Sequence, residues 1–293
     1  MNRNRIIIGC CLIIAFISIL SCSDFQFEEK PQLVVEGWIE ADKYPVVILT
    51  TSIPINTERQ EIDDLKNYLI RWARVAISDG ENEIILTGRY DNRYFPPYIY
   101  TTPFMKGEVN KTYRLTVDYQ NFHATASTTI PEPEKIDSFQ IREITEKENI
   151  NTEYSISAFF QSTGKGNCFK IFTKTAGLDT NYRSSFMGTV DDSQYTDSTI
   201  KIPVYKSSQL THNDDDPYFT LSDTVHIRFA HIDRPAYQFW YEYDKIISLS
   251  KNVFTAYSKN PPSNVEGAIG YWCGYGSTYY QLIIKELAGN SHL

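Results

Sequence analysis

Apolar and polar side chains alternate in the stretch Tyr113-Arg114-Leu115-Thr116-Val117-Asp118-Tyr119. A period of two is typical of a β-strand that buries one face. After a Gln120-Asn121 turn the same rhythm resumes in Phe122, Ala124, Ala126 and Thr128. The pattern therefore predicts two strands joined by a tight turn.

Short runs rich in β-branched residues precede this pair. They cover residues 33–39, 46–50, 74–78 and 84–86 and are bounded by turn formers. Asp79-Gly80 is a tight-turn signal between the last two runs. About seven short strands in roughly 100 residues predict an immunoglobulin-like β-sandwich over residues 33–131.

Two prolines mark the end of this predicted domain. Pro131 and Pro133 can neither continue a strand ladder nor start a helix at that point, so a domain boundary is expected there. Residues 134–293 would form a second domain, with strands near residues 136–141, 154–160, 169–173, 225–229 and 279–284. For the polar residues 174–223 we expect loops with short strands.

One helix stands out in the second half. Asp233 is suited to cap it and Pro235 to its first turn. Its apolar stripe falls at helical spacing: Ala236, Trp240, Tyr243 and Ile247. The predicted fold is thus mostly β, a sandwich followed by a β-rich α+β domain with one main helix.

The amino terminus has the pattern of a signal peptide. Arg3 and Arg5 precede an apolar run over residues 6–20, which ends in Ser21-Cys22. About 15 apolar residues are fewer than the roughly 20 that a membrane-spanning helix needs, which disfavours the alternative of an uncleaved anchor. Ile19-Leu20-Ser21-Cys22 resembles a bacterial lipobox, so residues 1–21 would be removed and Cys22 lipidated. Residues 22–32 would then form a polar tether.

Charge and cysteine content narrow the function classes. The net charge is −8, and loss of Arg3 and Arg5 makes the remainder still more negative, which argues against nucleic-acid binding. Cys168 and Cys273 remain once the signal and the lipidated residue are set aside. They form either one disulfide or two buried free thiols. Free thiols are favoured, because one pair of cysteines does not make the framework of several disulfides that is typical of disulfide-stabilised proteins.

An aromatic, arginine-bearing stretch between two predicted strands is the first candidate for binding. Its members are Arg89, Tyr90, Arg93, Tyr94, Phe95, Tyr98, Tyr100 and Phe104. Exposed, these side chains would suit a protein partner or a sugar ring. Buried, they would plug the end of the sandwich, and this interpretation is slightly favoured.

A glycine-rich element near the carboxyl terminus is the second candidate. It places Gly267, Gly270, Gly274 and Gly276 among polar and aromatic residues: Asn264, Glu266, Tyr271, Trp272 and Tyr275. Glycines let a backbone approach either a ligand or a neighbouring strand closely. The sequence favours neither use.

No catalytic pattern is apparent. Metal-protease, nucleophile-elbow, phosphate-loop and zinc-pair spacings are missing from the sequence. Asp191-Asp192 and residues 213–216 read as solvated acidic loops rather than calcium sites, because the glycine and distal glutamate of a calcium loop are missing. His226 and His231 are five residues apart and would not share a strand face. Neither an enzyme nor a bound metal or cofactor is expected.

Several ordered motifs resemble domain-of-unknown-function family 4249. They are the stretches at residues 33–39, 107–117, 129–133, 136–138 and 261–272. The resemblance implies a Bacteroidota-type outer-membrane lipoprotein, often encoded beside TonB-dependent receptors. A binding or accessory module for such a β-barrel transporter is therefore expected, with a glycan or peptide as ligand. The sequence favours neither the periplasmic face of the membrane nor the cell surface as its location. The alternative is a surface adhesin or assembly protein, and a hydrolase is less favoured.

Overall fold

A computed structural model describes residues 31–52, 66–144, 152–163, 165–206, 217–250 and 260–290. The predicted signal peptide, Cys22, most of the tether and residues 213–216 lie outside these ranges. Gln32–Leu293 form one compact unit.

The described residues form seventeen strands and two α-helices. The first eight strands are β1 (Leu33–Glu40), β2 (Val46–Thr51), β3 (Arg74–Ser78), β4 (Glu83–Ile85), β5 (Thr87–Tyr90), β6 (Tyr98–Thr101), β7 (Thr112–Tyr119) and β8 (Phe122–Thr129). The others are β9 (Ser138–Ile144), β10 (Glu153–Gln161), β11 (Cys168–Thr175), β12 (Arg183–Asp191), β13 (Thr199–Val204), β14 (Phe219–Thr220), β15 (Thr224–Ile232), β16 (Val265–Glu266) and β17 (Ile269–Ile283). The helices are α1 (Arg234–Ser250) and α2 (Ile284–Asn290), and Asp192–Gln194 form a 3₁₀ turn.

An eight-stranded sheet runs through the whole unit in the order β12-β11-β15-β17-β1-β2-β6-β5. Its centre is a parallel pair, in which β1 lies beside β17 from Val34↔Ile269 to Glu40↔Tyr275. A five-stranded sheet has the order β16-β8-β7-β3-β4. In a third sheet, β9, β13 and β14 all pair with β10.

Alternation along the strands gives the large sheet two different faces. One face packs against the two smaller sheets: Leu33 and Val35 meet Tyr113 and Leu115 in one cluster, and Phe169 and Phe229 lie in a second. The other face packs against α1, through a cluster that includes Phe172, Trp240 and Tyr275. The molecule is therefore layered, with α1 on one side of the large sheet and two smaller sheets on the other.

The prediction of a mostly β chain with one main helix is confirmed. The Asp233 carboxylate accepts a hydrogen bond from the Ala236 amide at 2.9 Å, as expected of the residue that caps α1. Ala236, Trp240 and Ile247 are buried, and α1 lies against β11, β12 and β17. The early strands are arranged like a sandwich. Residues 174–223 contain more structure than expected, since β12 alone has nine residues.

The chain does not divide at the predicted boundary near residues 131–134. Strands from both sides of that point share the large sheet. The segment itself lies along β15 and β17: His231 Nδ1 is 2.7 Å from the Glu132 carbonyl, and the Thr278 hydroxyl donates to the Glu134 carbonyl at 2.8 Å. The prolines end β8 as predicted, but they lie in a packed connection and not in a linker.

Candidate binding surface

The outermost hairpin of the large sheet, β5–β6, carries most of the aromatic stretch. Asp91 organises the loop between the two strands. Arg93 donates to both of its carboxylate oxygens, from Nε at 2.9 Å and from Nη2 at 2.6 Å, and the Arg93 amide donates at 3.1 Å. These bonds from Arg93 lower the pKa of Asp91 to about 2. A bidentate pair of this kind fixes the direction of an otherwise exposed guanidinium.

Three of the six rings in the stretch point into solvent. Tyr90 is 63% exposed, Phe95 53% and Phe104 82%. Phe104 lies apart from the hairpin, beside a groove that also contains Asp79 and Lys111. The exposed-ring interpretation therefore holds for Tyr90 and Phe95 at the hairpin itself.

The other three rings are structural. Tyr94 packs against Trp38 with ring centroids 6.0 Å apart. Tyr98 donates to the Arg71 carbonyl at 3.3 Å, and the buried Tyr100 donates to the Ile70 carbonyl at 3.0 Å. Tyr98 and Tyr100 pack on the core of the sandwich and tie the hairpin to residues 70–73, whereas Tyr94 packs on the opposite face of the large sheet.

Trp72 belongs to the same region and was missed by sequence reasoning. It is 89% exposed, and its neighbours on both sides are bonded to the hairpin, Arg71 through Tyr98 and Ala73 through Tyr100. A lone tryptophan outside the aromatic stretch carries no signal of exposure in the sequence. We call the exposed side chains of Trp72, Arg89, Tyr90, Arg93 and Phe95 the hairpin surface.

The second candidate element serves packing. Asn264 donates to the Trp272 carbonyl at 2.7 Å and accepts from its amide at 2.9 Å. The Trp272 ring is fully buried, and its Nε1 donates to the Tyr113 carbonyl at 3.0 Å. Glu266 is exposed on β16, which pairs with β8. Trp272 thus ties this element to β7 of the sandwich, and Asn264 fixes the backbone of Trp272.

Glycines in this element allow β17 to lie close to other backbone segments. Gly270 has φ +125°, and a Cβ there would fall 1.8 Å from the Val35 carbonyl oxygen. At Gly276 a Cβ would fall 2.0 Å from the Pro131 carbonyl oxygen. The closest approach at both positions is to a strand or connection of this chain, so the glycines have a structural use.

Two further residues of this element face α1. Tyr271 donates to the Glu36 carboxylate at 2.8 Å, and Tyr275 accepts from the Trp240 indole at 3.2 Å. Burial raises the pKa of Glu36. Tyr271 and Tyr275 are almost fully buried and present no surface to a partner.

Both remaining cysteines are free, buried thiols in the structure. Burial raises the pKa of Cys168 to about 12 and that of Cys273 well above its ordinary value. A thiol that stays protonated is a poor nucleophile and a poor metal ligand.

Asp191 and Asp192 do not form the solvated acidic loop expected from the sequence. Both are buried: Asp191 pairs with Arg234, and Asp192 accepts from the Asn167 amide at 2.8 Å. Within the described ranges no group of three or more His, Cys, Asp or Glu side chains is placed to hold a metal. In the same ranges, none of the helices has the length and apolar character needed to cross a bilayer.

Comparison with known proteins gives one family match. The family described as "Domain of unknown function (DUF4249)" matches residues 23–281. No curated protein matches the chain. Because the match extends over most of the sequence, including β1, the hairpin surface, α1 and nearly all of β17, the chain belongs to the DUF4249 family.

Proposed function

We propose that this chain is a lipid-anchored outer-membrane protein that acts as a non-enzymatic binding or accessory module for a TonB-dependent nutrient transporter. The hairpin surface is the observation that carries the proposal. It places three exposed rings and two exposed arginines around one edge of the large sheet, with Arg89 and Tyr90 on opposite faces of β5. Trp, Tyr and Arg are the residues that most often dominate the energy of protein interfaces.

The hairpin surface is also held in place before any partner arrives. Asp91 orients Arg93 and pairs with Arg89 at 3.4 Å, while Tyr98 and Tyr100 fasten the hairpin to the segment that carries Trp72. Ordering of side chains costs about 0.5–1.5 kcal/mol each on binding. A surface that is already ordered avoids part of this cost, which supports a role in recognition.

The membrane anchor in this proposal rests on the sequence. A lipidated Cys22 followed by a ten-residue tether at positions 23–32 would keep the compact unit within about 33 Å of the bilayer. Two or more acyl chains hold a protein on a membrane durably. Confinement raises the effective concentration of neighbouring membrane proteins, so that a modest contact area suffices for association.

The test is affinity capture from gently solubilised membranes through a carboxyl-terminal tag. The triple variant Trp72→Ala/Tyr90→Ala/Phe95→Ala should reduce recovery of a co-purifying β-barrel by about 30-fold or more, because each ring is an exposed contact. The matched control Tyr195→Ala/Tyr241→Ala removes exposed rings elsewhere and should leave recovery unchanged. Thermal melts should be the same for all three proteins.

The same experiment tests the anchor and the class of partner. Cys22→Ala should lose labelled palmitate and appear in the soluble or precursor fraction. If no TonB-dependent receptor is recovered from cells grown under several nutrient limitations, the transporter role is wrong. Capture of host or neighbouring-cell material by the same surface would then support the adhesin alternative.

A further inference from the structure

Strand β5 lies at one end of the large sheet, and β6 is the only described strand that pairs with it. Thr87, Arg89 and Tyr90 are exposed, and Gly88 is half-buried. Proteins commonly protect such an edge with a proline, a lysine or a bulge. The sequence of β5 contains neither proline nor lysine, and its register with β6 is regular. By contrast, the strand at the other end of the sheet, β12, has an irregularity in its pairing with β11.

The hydrogen bonds of the hairpin show which backbone groups lie on this outer edge. The Asp91 amide donates to the Pro97 carbonyl at 3.2 Å and continues the β5–β6 ladder. Because successive residues of an antiparallel pair turn their backbone groups to opposite sides, those of Gly88 and Tyr90 point away from β6. Leu86, of the same parity, confirms this direction, since its amide donates to a β3 carbonyl at 2.8 Å. The outer edge of β5 therefore presents the N–H and C=O groups of two residues.

The hairpin surface lies on both sides of this edge. Arg89 and Tyr90 point to opposite faces of β5, because they are neighbours in a strand. A partner that lay flat against either face of the sheet would contact only one of the two side chains. A strand added beside β5 has its own side chains on both faces, so that it contacts Arg89 and Tyr90 together.

The edge is positively charged, although the whole chain has a net charge of −8. Arg71, Arg89 and Arg93 are exposed there. Asp91 is the only acidic residue in the surrounding sequence, residues 66–74 and 86–104. Complementary charge favours an acidic partner. A second copy of this chain would bring the same arginines to the edge, and like charges on adjacent strands are destabilising.

We propose that an extended, acidic segment of a partner protein pairs with the outer edge of β5 and adds a strand to the large sheet. Backbone hydrogen bonds to Gly88 and Tyr90 supply affinity in this mode of recognition, and contacts with the side chains of β5 select the sequence of the partner. The inference deepens the proposed function and rests on it for the identity of the partner. The binding mode itself is tested without a transporter.

The first measurement uses a labelled synthetic peptide of about nine residues in which glutamate and valine alternate, long enough to form one strand. A second peptide has lysine in place of every glutamate. Fluorescence anisotropy follows the titration of each peptide with the full-length protein in detergent. The glutamate peptide should bind about tenfold or more tightly than the lysine peptide, because the edge carries an excess of arginine.

The second measurement locates the peptide on the unmodified protein by amide hydrogen exchange, followed by NMR. The glutamate peptide should slow exchange at Gly88 and Tyr90 by about fivefold or more, because their outward N–H groups acquire acceptors. The Arg89 amide points towards β6 and should be slowed less. Protection of Arg89 equal to that of both neighbours would contradict pairing at the outer edge.

Two substitutions at one position separate the backbone from the side chain. Tyr90→Pro removes the ring and the outward N–H, a change that an edge strand tolerates. Tyr90→Thr removes the ring but keeps the N–H. The proline variant should bind the glutamate peptide about fivefold more weakly than the threonine variant, because it lacks one backbone donor. Thermal melts of both variants establish that they are equally folded.

The proposal is overturned if the glutamate peptide does not bind at about 1 mM, if the lysine peptide binds as tightly, or if the two Tyr90 variants bind equally. These outcomes would leave capture of a β-barrel through the hairpin surface unaffected. Conversely, peptide binding at the edge without recovery of a TonB-dependent receptor would support the added strand and contradict the transporter role alone.

Discussion

Glu36 lies on β1 between the large sheet and α1, with Tyr271 as its hydrogen-bond donor and Tyr243 near by. Burial raises the pKa of this carboxyl above its ordinary value of 4.5, and the Tyr271 hydrogen bond opposes the shift only in part. A carboxyl whose pKa is higher in the folded state favours folding when protonated. Its contribution is complete below the unfolded value and is lost as the pH rises through the folded value.

Glu36→Gln should therefore raise the free energy of unfolding at pH 7.5 by about 1 kcal/mol, because the charge no longer has to be buried. The gain should shrink as the pH falls towards 4.5. Urea unfolding at several pH values measures both effects. Glu266→Gln, which changes an exposed carboxyl on β16, is the control. Its free energy of unfolding should differ from that of the wild type by the same small amount at every pH. If the free energy of unfolding depends on pH in the same way for the wild type and Glu36→Gln, the raised pKa of Glu36 is contradicted.

Sequence reasoning at the residue scale found the crowded aromatic stretch but not which rings are exposed. Tyr98 and Tyr100 share one face of β6, and that face meets the segment at residues 70–73, which is distant in sequence. Tyr94 turns towards Trp38 and Phe95 towards solvent, in a loop organised by Asp91. Alternation predicts that neighbours point to opposite sides, but it does not say which side another part of the chain will cover.

Helix α1 is the element that sequence predicted best, because its cap and its apolar stripe are local signals. What the sequence did not predict is the buried ion pair that fastens it to the sheet. Lys170 on β11 is fully buried, and its Nζ lies 2.9 and 2.8 Å from the two Asp244 oxygens. The Thr189 hydroxyl, 2.9 Å away, accepts a third bond from Lys170. Burial lowers the pKa of Lys170, an effect that Asp244 opposes.

Asp244→Asn should lower the free energy of unfolding by about 3 kcal/mol, because it leaves a buried ammonium without its counter-charge. The double variant Lys170→Met/Asp244→Leu should recover most of that loss. Lys245→Met removes the neighbouring exposed lysine and should change stability by less than about 0.5 kcal/mol. Denaturant unfolding of the four proteins is the measurement, and a double variant no more stable than Asp244→Asn would contradict the argument.

At the scale of the whole molecule, the strands were predictable and their partners were not. Runs of β-branched residues, as in β1, and alternation, as in β7 and β8, indicated most of the segments that became strands. The parallel partner of β1 lies near the other end of the described chain, and nothing in either segment specifies the other. The packed connection at residues 131–134 has the composition of a linker. Prolines end a strand both before an interdomain linker and before a connection packed within one domain, so composition does not distinguish the two.

The shared sheet predicts one cooperative unfolding transition for Gln32–Leu293. Calorimetric and van't Hoff enthalpies should agree, and limited proteolysis near residues 131–134 should yield no stable half, because each half would expose an open strand edge. Calorimetry with fragment analysis by mass spectrometry provides the measurement. Two separate transitions, or a protease-resistant fragment that ends near Pro131, would contradict this expectation.

The parallel pairing of β1 with β17 also sets the order in which the chain can fold as it emerges, amino terminus first. When β1 emerges it can pair with β2, but its other edge stays open until β17 arrives. Closing so long a loop is entropically slow, and an open edge invites pairing with other chains in the meantime. Completion of the fold therefore waits for nearly the whole chain to emerge, and until then the amino-terminal hairpin depends on whatever shields exposed strands.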